Sequence, residues 1–238
     1  MSRSWTDFVQ GNQAGHAVQV YAELDELTGS VASYLAAGFE QGEPAVVVAT
    51  REHVSRFAEA LSARGWDEAR VQADRMLVLA DADSTLARFM VDGVPSPTEF
   101  ESVVGGLIDA VAKRFPGKRV RAFGEMVDLL CERGQPEAAI ALEELWNDLA
   151  RRRNFSLLCG YHMDVFDRAT QLGPMPDVCR VHSHVLPVPD GDRLSRAVDQ
   201  ALDEVLGSED AGKVYLLVGD RIREDRVPVA QVVLMWVS

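Results

Sequence analysis

The sequence predicts an α/β protein with a mostly parallel β-sheet and helices on both of its faces. Short runs of β-branched and apolar residues alternate with segments of helical periodicity over most of the chain. The strand candidate Ala45–Ala49 is apolar throughout, which is typical of a strand covered on both faces. Because a strand, a helix and a second strand connect by a right-handed crossover, this alternation makes neighbouring strands parallel.

Each predicted element has its own local signal. The predicted strands are Ala17–Tyr21, Ala45–Ala49, Met76–Ala80, Lys118–Phe123 and Phe155–Tyr161. Apolar residues three or four positions apart predict helices over 24–38, 54–65, 83–90, 96–111 and 136–149. Ser96-Pro97-Thr98-Glu99 combines an N-cap serine, a proline at the first helical position and a glutamate at the third. Pro136 marks another helix start, and Asp83 is expected to cap the short helix.

The pattern changes after Pro187. Residues 187–192 are rich in proline, glycine and aspartate and are typical of a linker. A helix that ends at Gly207 follows, then a predicted strand at Val214–Val218, and Pro228–Val237 fits either a strand or a helix. The predicted organisation is a domain over residues 1–189 and a C-terminal helical or mixed appendage over 190–238.

Charge and composition exclude several classes of protein. A net charge of -13 over 238 residues repels polyphosphates and disfavours direct binding of nucleic acid. The basic cluster Arg151–Arg153 ends a predicted helix, where it offsets the helix dipole. The chain shows no signal-peptide pattern and no apolar run long enough for a membrane span. Three widely spaced cysteines fit a reducing compartment, so a cytoplasmic protein is expected.

The turn after the first strand, Tyr21–Leu27, argues against binding of ATP. A nucleotide-binding protein of this class would place a glycine-rich loop with a lysine there, because backbone N–H groups and the ammonium hold the phosphates. The turn instead contains Glu23, Asp25 and Glu26. No cofactor is expected.

The search for catalytic and metal-binding residues leaves weak candidates. Glu125 and Asp128 follow the fourth strand and could hold a metal or activate water, but no phosphate loop faces them. His182 and His184 share one side of an extended segment and are weak candidates for a metal pair. They have no Cys or His partner nearby in sequence, so no metal is assigned. Cys159 is expected to be a small buried hydrophobic residue, and no catalytic residue is assigned.

A series of short motifs resembles a known family. In chain order they are Gly15-His16-Ala17-Val18 with Tyr21, Gly38–Glu43, Arg121–Val127, Leu142–Asn147, Leu157–Tyr161 and Val181–Pro187. The order and spacing of these motifs over residues 14 to 187 resemble the MEDS domain, the sensory domain of methanogen and methylotroph regulators of the DcmR type.

The resemblance implies a RecA/KaiC-like sheet that has lost its Walker A loop, in agreement with the acidic first turn. It also implies a sensor of small organic compounds that acts upstream of kinases or DNA-binding regions. This chain shows no kinase dimerisation helix, ATPase lid or helix-turn-helix, so its output is expected through a partner protein of the kinase or anti-sigma type, or through the appendage.

The leading interpretation is a small-molecule-sensing regulatory domain without catalytic activity. Its ligand site is expected at the carboxyl edge of the sheet, lined by Tyr21, Glu125, Tyr161 and His162, with His16 near the entrance. Two alternatives remain open. One is a degenerate ATPase or hydrolase, and the other is an adaptor with an exposed apolar face around Val198, Leu202 and Val229. A homodimer is the expected assembly, since two-fold symmetry is the commonest.

Overall fold

The computed structural model describes residues 7–10, 15–163, 174–185 and 191–221. Its strands are β1 (His16–Tyr21), β2 (Ala45–Ala49), β3 (Leu77–Asp81), β4 (Met90–Val91), β5 (Val94–Pro95), β6 (Val120–Gly124), β7 (Phe155–His162) and β8 (His184–Val185). Six of them form one sheet in the order β3-β2-β6-β7-β1-β8, and its pairings are parallel. The predicted α/β class with a parallel sheet is confirmed. The short strands β4 and β5 form a separate hairpin around Asp92-Gly93, which both have positive φ as a two-residue turn requires.

Helices cover both faces of the sheet. They are α1 (Leu24–Glu40), α2 (Arg51–Ser62), α3 (Glu68–Ala73), α4 (Ala82–Ala87), α5 (Pro97–Phe100), a π-helical turn (Glu101–Gly105), α6 (Gly106–Arg114), α7 (Met126–Glu132), α8 (Pro136–Ala150), α9 (Pro174–Val181), α10 (Gly191–Leu206) and α11 (Ser208–Arg221). Helices α1, α2 and α3 bury their apolar residues in one hydrophobic cluster with the odd-numbered positions of β1 and β2. Helices α4 to α9 contribute to a second cluster on the opposite face of the sheet.

Two of the predicted helix starts are confirmed and one is wrong. The Ser96 hydroxyl accepts a hydrogen bond from the Glu99 N–H at 3.4 Å, and Pro136 is the first residue of α8. The short helix α4 is capped by Asp81 rather than Asp83, with the Asp81 carboxylate accepting from the Ser84 N–H at 2.9 Å. The reason is that β3 continues to Asp81, so α4 begins directly at the end of the strand.

A buried arginine holds α1 against the sheet. The Arg121 guanidinium on β6 donates to the Glu43 carboxylate at 2.7 Å and to the Tyr34 carbonyl at 2.9 Å. It also lies over the Tyr34 ring, 5.0 Å from the centroid. A β-carbon at Gly38 would come within 2.6 Å of the Arg121 side chain, so the glycine makes room for it. The motif residues at 38, 43 and 121 therefore serve the packing of the fold.

The C-terminal appendage is helical as far as it is described. Val214–Val218 lies in α11, so the predicted strand there is wrong. A continuous apolar run does not distinguish a strand from a helix, and Glu209 and Asp210 in the first turn of α11 favour the helix. Buried side chains of this region, Val198 and Leu202, belong to the same hydrophobic cluster as the sheet face. Residues 228–237 lie outside the described residues.

The connections between strands create three crevices at the carboxyl edge of the sheet. The helices that follow β1 and β2 lie on one face, and those that follow β3 and β6 lie on the other. Neighbouring strands with helices on opposite faces leave a gap beyond their carboxyl ends, where ligands bind in open α/β sheets. The helix described after β7, α9, lies with those of β3 and β6, so the gaps fall between β3 and β2, between β2 and β6, and between β7 and β1.

Candidate functional site

The crevice between β7 and β1 contains a buried carboxyl group. We call Tyr21, His53, Glu125, Asp128 and His162 the edge cluster. The Tyr21 hydroxyl donates to Asp128 Oδ2 at 3.0 Å, and the His162 backbone N–H donates to Asp128 Oδ1 at 2.9 Å. The Tyr21 and His162 rings lie 5.4 Å apart, and the imidazole of His162 is exposed. The Asp128 carboxyl is therefore bonded to the backbone of a residue whose side chain reaches solvent.

The environment of Asp128 makes its charge sensitive to its surroundings. Burial raises the pKa of Asp128 to about 6, against the two hydrogen bonds from His162 and Tyr21, which lower it. The carboxylates of Glu132 and Glu125 raise it further, because like charges disfavour ionisation. Burial beside Asp128 also raises the pKa of Tyr21, so the phenol stays protonated and remains a donor.

The crevice between β2 and β6 contains the second buried carboxylate of the edge cluster. Glu125 Oε1 accepts from the Thr50 N–H, and Glu125 Oε2 lies 2.6 Å from His53 Nδ1. Burial alone would lower the pKa of His53, but the Glu125 carboxylate outweighs it and raises the pKa. Glu125 thus ties the end of β6 to the start of α2 and is paired with a half-buried imidazole.

A solvent-open cleft lies farther along the same edge. It has a volume of about 300 Å³ and lies at the carboxyl ends of β2 and β3. Its polar lining comes from Arg51, Ser55 and Asp81. The cleft is a second place at which a small molecule can approach the carboxyl edge.

A second polar cluster is buried on the face of the sheet that α8 covers. We call His16, Glu143, Cys159, Tyr161 and His182 the inner cluster. Glu143 is fully buried, and its Oε2 lies 3.1 Å from His16 Nε2 while its Oε1 lies 3.2 Å from His182 Nε2. The Tyr161 hydroxyl donates to Oε1 at 2.9 Å. Burial alone would raise the pKa of Glu143, but the two facing imidazoles hold it well below its usual range.

The thiol of Cys159 completes the inner cluster. Cys159 Sγ lies 3.2 Å from His16 Nε2 and 3.5 Å from Glu143 Oε2. His16 Nδ1 lies 3.0 Å from Asn147 Oδ1, so a Cys–His–Asn arrangement exists that could suggest a nucleophile. Burial and the Glu143 carboxylate raise the pKa of the thiol well above its ordinary value, which opposes a reactive thiolate. With Cys159 and His16 buried, a substrate has no approach to the sulfur through the described residues.

The five residues predicted for one ligand site fall into these two clusters. Tyr21 and His162 lie at the carboxyl ends of β1 and β7, and Glu125 follows the carboxyl end of β6 and contacts Thr50 and His53. Tyr161 and His16 lie in the inner cluster, because alternate residues of a strand point to opposite faces of the sheet. His16 is 4% exposed at the start of β1, so the prediction that it lies near an entrance is wrong.

The two histidines named as weak metal candidates, His182 and His184, have different neighbours in the structure. His182 joins His16, Glu143 and Cys159, and one ligand atom from each lies within 4.8 Å of the others. His184 is not in this group, and its Nδ1 lies 2.8 Å from the Ser183 hydroxyl. The two weak metal candidates therefore do not share one group of ligands in the described residues, and Cys159 is more than a hydrophobic residue.

The inner cluster left only faint signals in the sequence. Its members come from β1, α8, β7 and the segment before β8, so no spacing motif links them. Glu143 is the strongest signal, because it shares the buried face of α8 with Leu142 and Trp146. An acidic residue at such a position is almost never left without a partner.

Both clusters lie within a region that matches a protein family. The family model for MEDS, the methanogen/methylotroph DcmR sensory domain, matches residues 15–183. The chain belongs to the MEDS family. The match includes the members of both clusters and ends just before β8.

No curated protein is similar in sequence to this MEDS chain. Among solved structures, a KaiC-like protein of the hyperthermophilic archaeon Pyrococcus horikoshii OT3 is similar, with 18% identity and a TM-score of 0.43. That similarity covers 71% of this chain and 70% of the other.

Within the described residues, the helices are too short or too polar to cross a membrane.

Proposed function

We propose that this MEDS chain is a ligand-responsive sensory domain whose small-molecule site is the crevice between β7 and β1. The observation that carries the proposal is Asp128, a buried carboxyl that accepts hydrogen bonds from the Tyr21 hydroxyl and from the backbone of His162, whose imidazole is exposed. The family, described as a sensory domain, supports a role of this kind.

The edge cluster has the chemistry to recognise a small polar compound. The Tyr21 ring supplies an apolar wall, and the imidazole of His162 can donate or accept a hydrogen bond. With a pKa of about 6, Asp128 can exist as a neutral donor or as a charged acceptor near neutral pH. A ligand that favours one protonation state changes the contacts between β1, β7 and α7 and so biases the conformation of the domain.

We further propose that the domain is not an enzyme and that its signal passes to a regulatory protein. The turn after β1 is acidic and has no phosphate loop, which opposes ATP chemistry. The adaptor alternative expected an exposed apolar face around Val198 and Leu202. Both side chains are buried in the main cluster, so that expectation is wrong for these two residues, and Val229 lies outside the described residues.

Native mass spectrometry of the purified protein, with and without added ATP and Mg²⁺, tests this function. A retained small organic mass and no nucleotide adduct are expected. Stoichiometric uptake of ATP would contradict the proposal and favour the ATPase alternative.

Three variants locate the site. Tyr21→Phe and His162→Ala should release the retained compound without loss of the fold, which circular dichroism checks. Arg51→Ala is the control, because Arg51 lines the separate cleft at β2 and β3. Release by Arg51→Ala alone would place the ligand in that cleft and contradict the assignment to the edge cluster.

A further inference from the structure

The inner cluster presents several acceptor atoms to one point. His182 Nδ1 lies 2.6 Å from the Val178 carbonyl oxygen, which only accepts hydrogen bonds. The proton of a neutral His182 ring is therefore on Nδ1, and Nε2 carries a lone pair. Among the described residues this buried Nε2 has no hydrogen-bond partner, although it lies 3.2 Å from Glu143 Oε1.

His16 is oriented in the same way. The Asn147 amide nitrogen donates to the Val181 carbonyl at 2.8 Å, so the amide oxygen is the atom that faces His16 Nδ1 at 3.0 Å. Nδ1 of His16 must then carry the proton, and its Nε2 lone pair points at Glu143 and Cys159. Carbonyl groups that fix the outer nitrogen of a histidine in this manner are the usual support of a metal-binding imidazole.

One protonated ring beside the Glu143 carboxylate and one neutral ring is one balanced arrangement of this cluster, and the other two protonation states are worse. If both rings were protonated, two cations with centroids 4.1 Å apart would face one carboxylate in a buried site. If both were neutral, two lone pairs would face the carboxylate at 3.1 and 3.2 Å. A divalent cation is the other balanced arrangement, because the Glu143 carboxylate and the Cys159 thiolate match its two charges and the four ligand atoms lie within 4.8 Å of one another.

The geometry points to a structural site for a divalent transition-metal ion with the ligand preference of zinc, held by His16, Glu143, Cys159 and His182. Two imidazole nitrogens, a thiolate and a carboxylate oxygen form a four-coordinate donor set that zinc accepts. Tetrahedral zinc bonds place neighbouring ligand atoms roughly 3.3–3.6 Å apart. Four separations in the structure, counted to either Glu143 oxygen, are 3.1 to 3.5 Å, and all four ligand atoms lie within 4.8 Å of one another.

The ion would join four elements that are far apart in the chain. His16 starts β1, Glu143 lies on α8, Cys159 lies on β7, and His182 follows α9. Tyr161 supports the site from β7 through its bond to Glu143. The site lies beneath the sheet, on the opposite face from Tyr21, so its role is distinct from ligand binding at the edge cluster.

Metal content is the first test, measured on the full chain purified without a metal-affinity column or chelator. Elemental analysis should find about one zinc ion per chain. Removal of the metal by a chelator under mild denaturation should lower Tm by roughly 5–15 °C, and added Zn²⁺ should restore it. A metal-free protein whose Tm does not respond to Zn²⁺ would overturn the proposal.

Cobalt substitution identifies the ligands. The Co²⁺ form should show a thiolate-to-cobalt charge-transfer band and the intense visible bands of four-coordinate cobalt. Cys159→Ser should lose the charge-transfer band, and the control Cys131→Ser should keep it, because Cys131 lies outside the cluster. If Cys159→Ser does not fold, the absence of a thiolate band in the wild type still overturns the proposal, and loss of the band in Cys131→Ser does so as well. Bound cobalt without a thiolate band, or a band that persists in Cys159→Ser, would exclude this site.

Discussion

The edge cluster and the inner cluster each contain a buried carboxylate, yet their pKa values move in opposite directions. Asp128 has its pKa raised to about 6, because hydrogen bonds from Tyr21 and His162 offset only part of the effect of burial. Glu143 is more deeply buried, but two imidazoles face it and hold its pKa low. The partners of a carboxylate therefore decide its charge more than its depth does. One cluster is suited to respond to its surroundings, and the other is suited to hold the fold together.

Removal of Glu143 should have the largest effect on stability. Glu143→Ala leaves His16, His182 and the Tyr161 hydroxyl facing an empty buried space, and we expect a loss of about 3–5 kcal/mol. Urea denaturation measures this loss. The neighbouring Glu144 is exposed, so Glu144→Ala is the matched control and should change stability by less than about 0.5 kcal/mol. Equal effects of the two substitutions would contradict the structural role of the inner cluster.

Asp128 should make stability depend on pH in the weakly acidic range. An acid whose pKa is higher in the folded state binds its proton more tightly when folded. The contribution of Asp128 to the free energy of unfolding therefore falls as pH rises from about 4 to about 6 and is constant above that. The expected change is about 2–3 kcal/mol. Asp128→Asn keeps an acceptor for the His162 N–H and should remove this component.

Chemical denaturation of wild type and Asp128→Asn at several pH values checks this prediction. The difference between the two curves isolates Asp128 from other titrating groups, including the adjacent Glu125 and Glu132. Parallel curves from pH 4 to 6 would show that Asp128 ionises normally and would remove the main contrast between the two clusters.

Substitution of Glu125 should have a smaller effect. Glu125→Gln keeps an oxygen for the Thr50 N–H but loses the charged partner of His53, at a cost of about 1–2 kcal/mol. The pKa of His53 should also fall, because the Glu125 carboxylate is what raises it. Titration by NMR of the His53 ring protons measures the shift. An unchanged His53 would mean that the two side chains are not paired in solution.

The smallest effect on stability is expected at His162. Its imidazole is exposed, so His162→Ala should cost less than about 0.5 kcal/mol, while the backbone bond to Asp128 remains. Thermal unfolding measures this cost. A loss of several kcal/mol would show that the ring of His162 is structural and would weaken its proposed role in ligand binding.

The fold was largely predictable from the sequence, because strands and helix starts have local causes. Ala45–Ala49 is apolar on both faces, and Ser96 with Pro97 marks a helix start without reference to the rest of the chain. The carboxyl-edge residues Tyr21, Glu125 and His162 were also predictable, since each one ends or directly follows a predicted strand.

The inner cluster was not predictable in the same way, because its geometry depends on long-range pairing. Cys159 lies beside Val18 in the register of β1 and β7, and only this pairing brings it near His16. His16 and Tyr161 were assigned to a single site with Tyr21, but the alternation of side chains along each strand separates them. The side of the sheet on which a residue lies was the missing information.

The position of β1 in the sheet has a consequence for biosynthesis. The first described strand, β1, pairs only with β7 and β8 among the described residues, and these are the last two strands described. The backbone edges of β1 therefore stay unpaired until more than half of the chain has been synthesised. Contacts between such distant segments slow folding and expose strand edges to wrong partners. We expect nascent chains that stop short of β7 to need a chaperone to hold β1.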